Sequence, residues 1–220
     1  MLLFPLLIFY YSYVVSGSKP LSSIQKFSQR SFSKSFHDIK GFDYTRTEQG
    51  QHIFRITADR VKIEKAKIGL FRFGLMKQVV FDNAKIKVIQ ADNKKKQGMI
   101  SVIDATSTLP DFNAKRSPRI IFKPVEVRIL SRAGKLMTMI TAGSAWFDIP
   151  KQQVEFKDNV KITSESATLL TSTFRVVSKS GNAVAPHGYH LITPEKNLKG
   201  NSLLTDIFLS KFNDIIKEDP

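Results

Sequence analysis

The stretches of this chain whose residue types and spacing could support chemistry each lack a necessary part. GLFRFG, from Gly69 to Gly74, has the glycine spacing of a phosphate-binding loop, but Leu75 and Met76 stand where Lys and Ser or Thr are needed. His187 and His190 lie three apart in a segment carrying Pro186 and Gly188, without the helical i, i+4 face or third ligand that would hold a metal. Glu155 and Asp158 could be read as an acid/base pair, yet one falls on the polar face of an alternating strand and the other beside a turn, where solvated charge is expected. There is no cysteine and no G-x-S-x-G elbow, so thiol chemistry and a local serine nucleophile signature are both absent. The chain is therefore expected to be non-enzymatic, with no catalytic residues, metal or cofactor.

Charge points towards binding instead. The 34 Lys and Arg residues outweigh 19 Asp and Glu, giving a formal net charge of +15 over 220 residues. Such a surplus favours an anionic partner: nucleic acid, an acidic membrane surface or a phosphorylated lipid. Lys94-Lys95-Lys96 follows Asp92-Asn93 and reads as a solvated hairpin tip. Seventeen Phe against one Trp and five Met, with many Ile, Val and Thr, tilt the composition towards strands.

Elements must then be found to position these side chains. The first 15 residues, MLLFPLLIFYYSYVV, are apolar, but as a helix they reach only about 22 Å against a hydrocarbon core of about 30 Å. We read 1–15 as a membrane anchor or uncleaved signal and 16–40 as a polar basic linker, followed by a β-domain over 41–209 and a tail over 210–220. Lys19, Lys26, Arg30 and Lys34 follow the apolar stretch, a charge flank that taken alone would leave the body in the cytoplasm.

From Gly41 the apolar residues alternate with polar ones at period two. Phe54, Ile56 and Ala58 share a face, then the phase slips and Val61 and Ile63 continue, as at a bulge or bend. Ile140 and Ala142, then Ala145 and Phe147, repeat the slip, so two ITA triplets head two similar strands. Each is followed by a related phrase, VVFDNAKI at 79–86 and VEFKDNVKI at 154–162, the second with one extra residue before its Asp-Asn. In the second phrase Val154 and Phe156, then Val160 and Ile162, face inward, leaving Lys157 and Lys161 outward. Further strands are expected at 99–104, 119–122, 125–130, around Phe174 and through 202–209, the last ending in a helical or frayed tail. The rhythm of hairpins predicts an all-β fold, an open antiparallel β-jelly roll or twisted sandwich preceded by an N-terminal apolar helix.

FDYTRTEQGQHIFRITADRVKI, ITAGSAWFDIPKQQVEFKDNVKI, LLTSTFRV and KGNSLLTD resemble the OstA-like domains of lipopolysaccharide transport, the LptC-like family most of all. Thr47 to Gly50, Phe54, Ile56, Ala58, Ala142, Ala145, Phe147, Asp148, Asn159, Val160 and Ile162 occupy the places of that family's pattern. The resemblance covers about 42–209; the long linker, the GLFRFG insertion and the short leader depart from it. It implies a single N-terminal span in the inner membrane, the body in the periplasm, and an apolar interior that takes lipopolysaccharide acyl chains. It also implies partners, an inner-membrane ABC transporter's permease jelly rolls and a periplasmic OstA-like bridge protein, joined by edge-strand addition. The inner face expected to meet lipid is Phe54, Ile56, Ala58, Phe81, Ile86, Ile140, Ala142, Phe147, Val154, Phe156, Ile162 and Phe174.

Two other functions fit the residues. A basic OB-like module could stack bases on the aromatics of GLFRFG, although the apolar leader and the lack of an RNP-like motif count against nucleic acid. A structural β-domain could assemble by edge pairing without carrying lipid. An open apolar groove would favour transfer, a close-packed interior scaffolding.

Overall fold

A computed structural model describes residues 38–48, 51–68, 71–89, 119–177 and 182–214. The chain divides into two units, Met1–Phe32 and Ser33–Pro220, and all described residues belong to the second. The expected N-terminal helix, most of the linker, the strand at 99–104 and the Lys94–Lys96 run lie outside the described residues.

Period-two alternation becomes strands, as expected. Asp38–Glu48 (β1), Gln51–Ile68 (β2) and Phe71–Ile89 (β3) form an antiparallel run. Arg119–Leu130 (β4), Leu136–Ala142 (β5), Ser144–Asp148 (β6), Gln153–Ser164 (β7) and Thr168–Val177 (β8) follow. The short strands Asn182–Ala185 (β9), Tyr189–Ile192 (β10), Asn197–Gly200 (β11), Leu203–Asp206 (β12) and Phe212–Asp214 (β13) complete a 13-stranded sheet. No helix occurs among the described residues.

The sheet is mixed rather than wholly antiparallel, because β3 and β4 pair in parallel from Gln78 beside Arg119 to Ile89 beside Leu130. A parallel neighbour needs a crossover, and the chain between Ile89 and Arg119 supplies the length for one. The strands expected at 119–122 and 125–130 are one strand, continuous through the cis Lys123–Pro124 peptide.

The expected strand through 202–209 stops at Asp206. Its carboxylate accepts hydrogen bonds from the Phe208 and Ser210 N–H groups at 3.1 and 2.9 Å, which turns the chain around Leu209 into β13, where a helical or frayed tail was expected to start; residues 215–220 of that tail lie outside the described residues. β1 begins at Asp38, so the sheet reaches past 41–209 at both ends.

The phase slips have a common cause. Register places Gly41 across from Asp59, Asp59 across from Asn83, Asn83 beside Pro124 and Pro124 across from Gly143. Gly143 meets Asp158-Asn159, and these face Ser172, which faces Gly188. At this line the buried parity changes in strand after strand: Ala58 gives way to Val61, Phe81 to Ala84, Phe122 to Val125 and Ala142 to Ala145, whereas in β7 the step from Phe156 to Val160 takes in one residue more and keeps its parity.

Gly41, Asn83, Asp158, Asn159 and Gly188 all have positive φ and all lie on it. These residue types enter the left-handed region at low cost, so β1, β3 and β7 bend there and keep their apolar side on the same face. We call this line the crease. The two Asp-Asn phrases are two of its stations. In β2 and β3 the bend leaves the pairing register unchanged, whereas in β7 two residues, Asp158 and Asn159, stand opposite one on β8, a true bulge.

Candidate functional site

The inner face was expected to hold the function, and the strands bring it together as one surface. Phe54, Ile56, Ala58, Phe81, Ile86, Ile140, Ala142, Phe147, Phe156, Ile162 and Phe174 are buried in a single hydrophobic cluster, with Val154 partly buried against it. The cluster runs from Phe42 on β1 to Leu203 on β12 and on to Leu209.

Aromatic packing is densest near the crease. Phe81 meets the edge of Phe42 at 5.4 Å between centroids and stacks on Phe122 at 5.1 Å. Ile56, Phe81, Ile140, Ile162 and Phe174 are each 0% exposed, so the interior is closed over them. Close packing of this kind contributes dispersion as well as apolar burial, about 1.5–3 kcal/mol per large side chain.

Sequence reasoning did not place Phe42, Phe122, Leu191 or Leu209 on this face. Phe42 stands in an alternating run and was legible in principle, whereas Phe122 closes a run of three apolar residues with Ile120 and Ile121, where alternation does not show. Leu191 and Leu209 sit in a four-residue strand and a turn, where period two has no room to show.

One cleft is lined by Thr45, Phe54, Arg55, Lys87 and Ile89. Register places Thr45 opposite Arg55 and Arg55 opposite Lys87 on the outer side of the sheet, while the Phe54 side chain is buried on the inner side. Arg55 is held by the Asp43 carboxylate, with Nε and Nη2 donating at 3.0 and 2.6 Å, and this raises its already high pKa. Lys87 is exposed.

Outward charges elsewhere form cross-strand ladders. Arg60 donates two hydrogen bonds to Asp38, holding that carboxyl below its ordinary range and raising the guanidinium's own pKa. Lys62 reaches Asp82 at 2.7 Å. Asn83 donates to Asp59 at 2.8 Å along the crease, which fixes the amide of a left-handed residue.

The sole tryptophan, Trp146, sits on the outer face with the Lys157 ammonium 4.2 Å and the Arg119 guanidinium 5.8 Å from its ring centroid. Glu155 bonds Lys157 at 2.9 Å and Arg175 at 3.3 Å. Burial alone would push the Glu155 carboxyl up, but the two cations more than reverse that and hold it below the usual carboxylate range. Glu155 is thus an ion-pair member. Asp158 accepts from the Ser144 hydroxyl at 3.0 Å and lies in the crease, so the sequence's conceivable acid/base pair serves two structural networks.

His187 is exposed and its backbone carbonyl accepts from the Ser172 hydroxyl at 3.2 Å, while His190 pairs Leu170 across β10 and β8. Neither belongs to a metal-ligand cluster, and no group of three or more His, Asp or Glu residues able to hold a metal occurs among the described residues. His37 lies outside the described residues, as do Gly69 and Leu70 of GLFRFG, whose other residues open β3. No helix among the described residues is long and apolar enough to cross a membrane.

No family model matches the sequence, and no curated protein matches it significantly.

Proposed function

We propose that this chain is a non-enzymatic lipopolysaccharide-binding transport component, an LptC-like, OstA-like β-jelly roll. In this reading it relays lipopolysaccharide from an inner-membrane ABC transporter to a periplasmic bridge protein. The observation that carries the reading is the continuous apolar face, which spans the sheet from Phe42 to Leu203. Such a face offers acyl chains an apolar path, and the surplus of Lys and Arg in the chain is available to phosphate.

The path of strands runs from β1 to β13 without closing on itself among the described residues, which leaves sheet ends for strand addition to the permease jelly rolls and the bridge. The apolar first 15 residues serve as the inner-membrane span and the body lies in the periplasm.

Full burial of Ile56, Phe81 and Phe174 requires the inner face to part before it admits lipid, and the same closure favours a second reading, a structural β-domain that assembles by its edges. A photocrosslinking residue at Phe147 or Phe156 separates them. Capture of lipopolysaccharide there, and not from outward positions such as Lys151, supports transport; equal or no capture at inner and outer positions overturns it in favour of scaffolding.

A further inference from the structure

Beyond the crease, the outer side of the sheet carries a row of side chains read directly from the strand register. Lys85 lies beside Glu126, Glu126 opposite Thr141, Thr141 opposite Lys161, Lys161 opposite Leu170, Leu170 opposite His190 and His190 opposite Lys199. The next row out contains Lys87, Arg128, Met139, Thr163, Thr168 and Ile192 and ends at Asn197.

Lys85, Lys87, Lys161 and Lys199 are exposed, and so are the aliphatic side chains of Leu170 and Ile192 at 37% and 36%. Between Lys85 and Lys199 Glu126 is the one carboxylate, and Arg128 already engages it at 2.6 Å; beyond Lys85 the row continues through Thr57 to Asp43, which Arg55 engages. With strands about 4.8 Å apart, Lys85 and Lys199 stand roughly 29 Å from each other across six strand steps. Of the four large hydrophobic side chains exposed among the described residues, Leu136, Leu170, Ile192 and Phe212, two stand among these lysines.

Charge and shape select one occupant. We infer that this face docks on the headgroup layer of an anionic phospholipid bilayer, with its lysines over the phosphates and Leu170 and Ile192 entering the interface. Lysine stems carry ammonium groups to the phosphate level while apolar side chains gain from the acyl boundary. Nucleic acid fits less well, since no Phe, Tyr or Trp stands in either row to stack a base. A chain whose first 15 residues are apolar would hold such a face close to a bilayer. The inference concerns the outer side of the sheet and does not depend on whether the inner side carries lipid.

The absence of cysteine makes the test direct. In the full chain, an environment-sensitive fluorophore is placed through Leu170→Cys, and separately through Lys151→Cys in an exposed turn away from the face. Each is titrated with phosphatidylcholine vesicles, with and without phosphatidylglycerol, and with an oligonucleotide.

The label at position 170 should blue-shift with phosphatidylglycerol vesicles, and the label at 151 should not. Neutralising Lys85, Lys161 and Lys199 together to Gln should weaken this response roughly a hundredfold, at about fivefold per lysine. The same change at Lys135, Lys151 and Lys211 should leave it intact. Equal shifts at 170 and 151, or a triple variant that binds vesicles like its parent, would show that only the N-terminal segment holds the membrane and would overturn the inference. Lysine-dependent binding of the oligonucleotide without binding of vesicles would replace the bilayer with nucleic acid and would also overturn it.

Discussion

Adding one methyl group at the crease tests whether the bend is set by close backbone approach. In Gly143→Ala the new Cβ would lie 2.9 Å from Asp158 Cβ and 3.2 Å from the Asp158 carbonyl oxygen, both too near the main chain to swing away. Overpacking of this kind costs about 1–3 kcal/mol. The Gly143 N–H also donates to the same carbonyl at 2.7 Å, and a shift that breaks this bond adds about 1 kcal/mol.

The expected loss is therefore about 2–4 kcal/mol, a large share of the 5–15 kcal/mol typical of a domain. Urea unfolding of the full chain would read it as a midpoint lowered by about 1–2 M at a slope near 2 kcal/mol/M. Asp158→Gly provides the partner variant. It removes the nearer clashing atom and suits φ of 65°, while giving up the Ser144 hydrogen bond, so alone it should be close to neutral.

Combined with Gly143→Ala it should recover about 1 kcal/mol. Costs that add to within about 0.5 kcal/mol, or a Gly143→Ala variant as stable as its parent, would refute the idea that contact between these two residues sets the bend.

Thr138 is fully buried and its hydroxyl has no hydrogen-bond partner, so Thr138→Val should stabilise the protein by about 1 kcal/mol in the same urea assay, and a loss of stability would show that the hydroxyl is satisfied after all. The Glu155 carboxyl is held below its ordinary range, so its ion pairs stabilise the fold above that range and their contribution disappears as the pH falls through the folded value. Glu155→Gln should lower stability at neutral pH and flatten the acid limb of stability against pH; an acid limb of unchanged slope would assign the pH dependence to other carboxylates.

Much of the inner face was legible because burial and period-two alternation are the same fact seen from two sides. Phe54, Ile56 and Ala58 could hardly face anything but a core once Arg55, Thr57 and Asp59 faced water. The crease was half legible. Asp-Asn pairs and slipped phases announced bends, but only strand register shows that Gly41, Asn83, Gly143, Asp158 and Gly188 fall on one line.

Strand order was less accessible, since nothing in the alternation of β3 or β4 distinguishes a parallel neighbour from an antiparallel one. β9, β10 and β11 are four residues each and contain or adjoin Gly, Pro and His, so their pattern is indistinguishable from loop; β9 is a strand because β8 and β12 offer it ladder groups, β10 because β8 does, and β11 because β10 does. The basic outer row was visible only as separate lysines. Its coherence depends on seven strands being in register.

The parallel joint between β3 and β4 also bears on the order in which the sheet can form. Every other pairing among the described strands is antiparallel, and chain neighbours such as β1–β2, β2–β3, β4–β5 and β7–β8 can close by local loops. The joint alone brings together the block ending at Ile89 and the block starting at Arg119, and that step carries the loop-closure entropy of the segment between them. Assembly is thus divided by chain topology into two locally encoded blocks and one non-local docking event, with the Phe81–Phe122 stack lying across the seam where they meet.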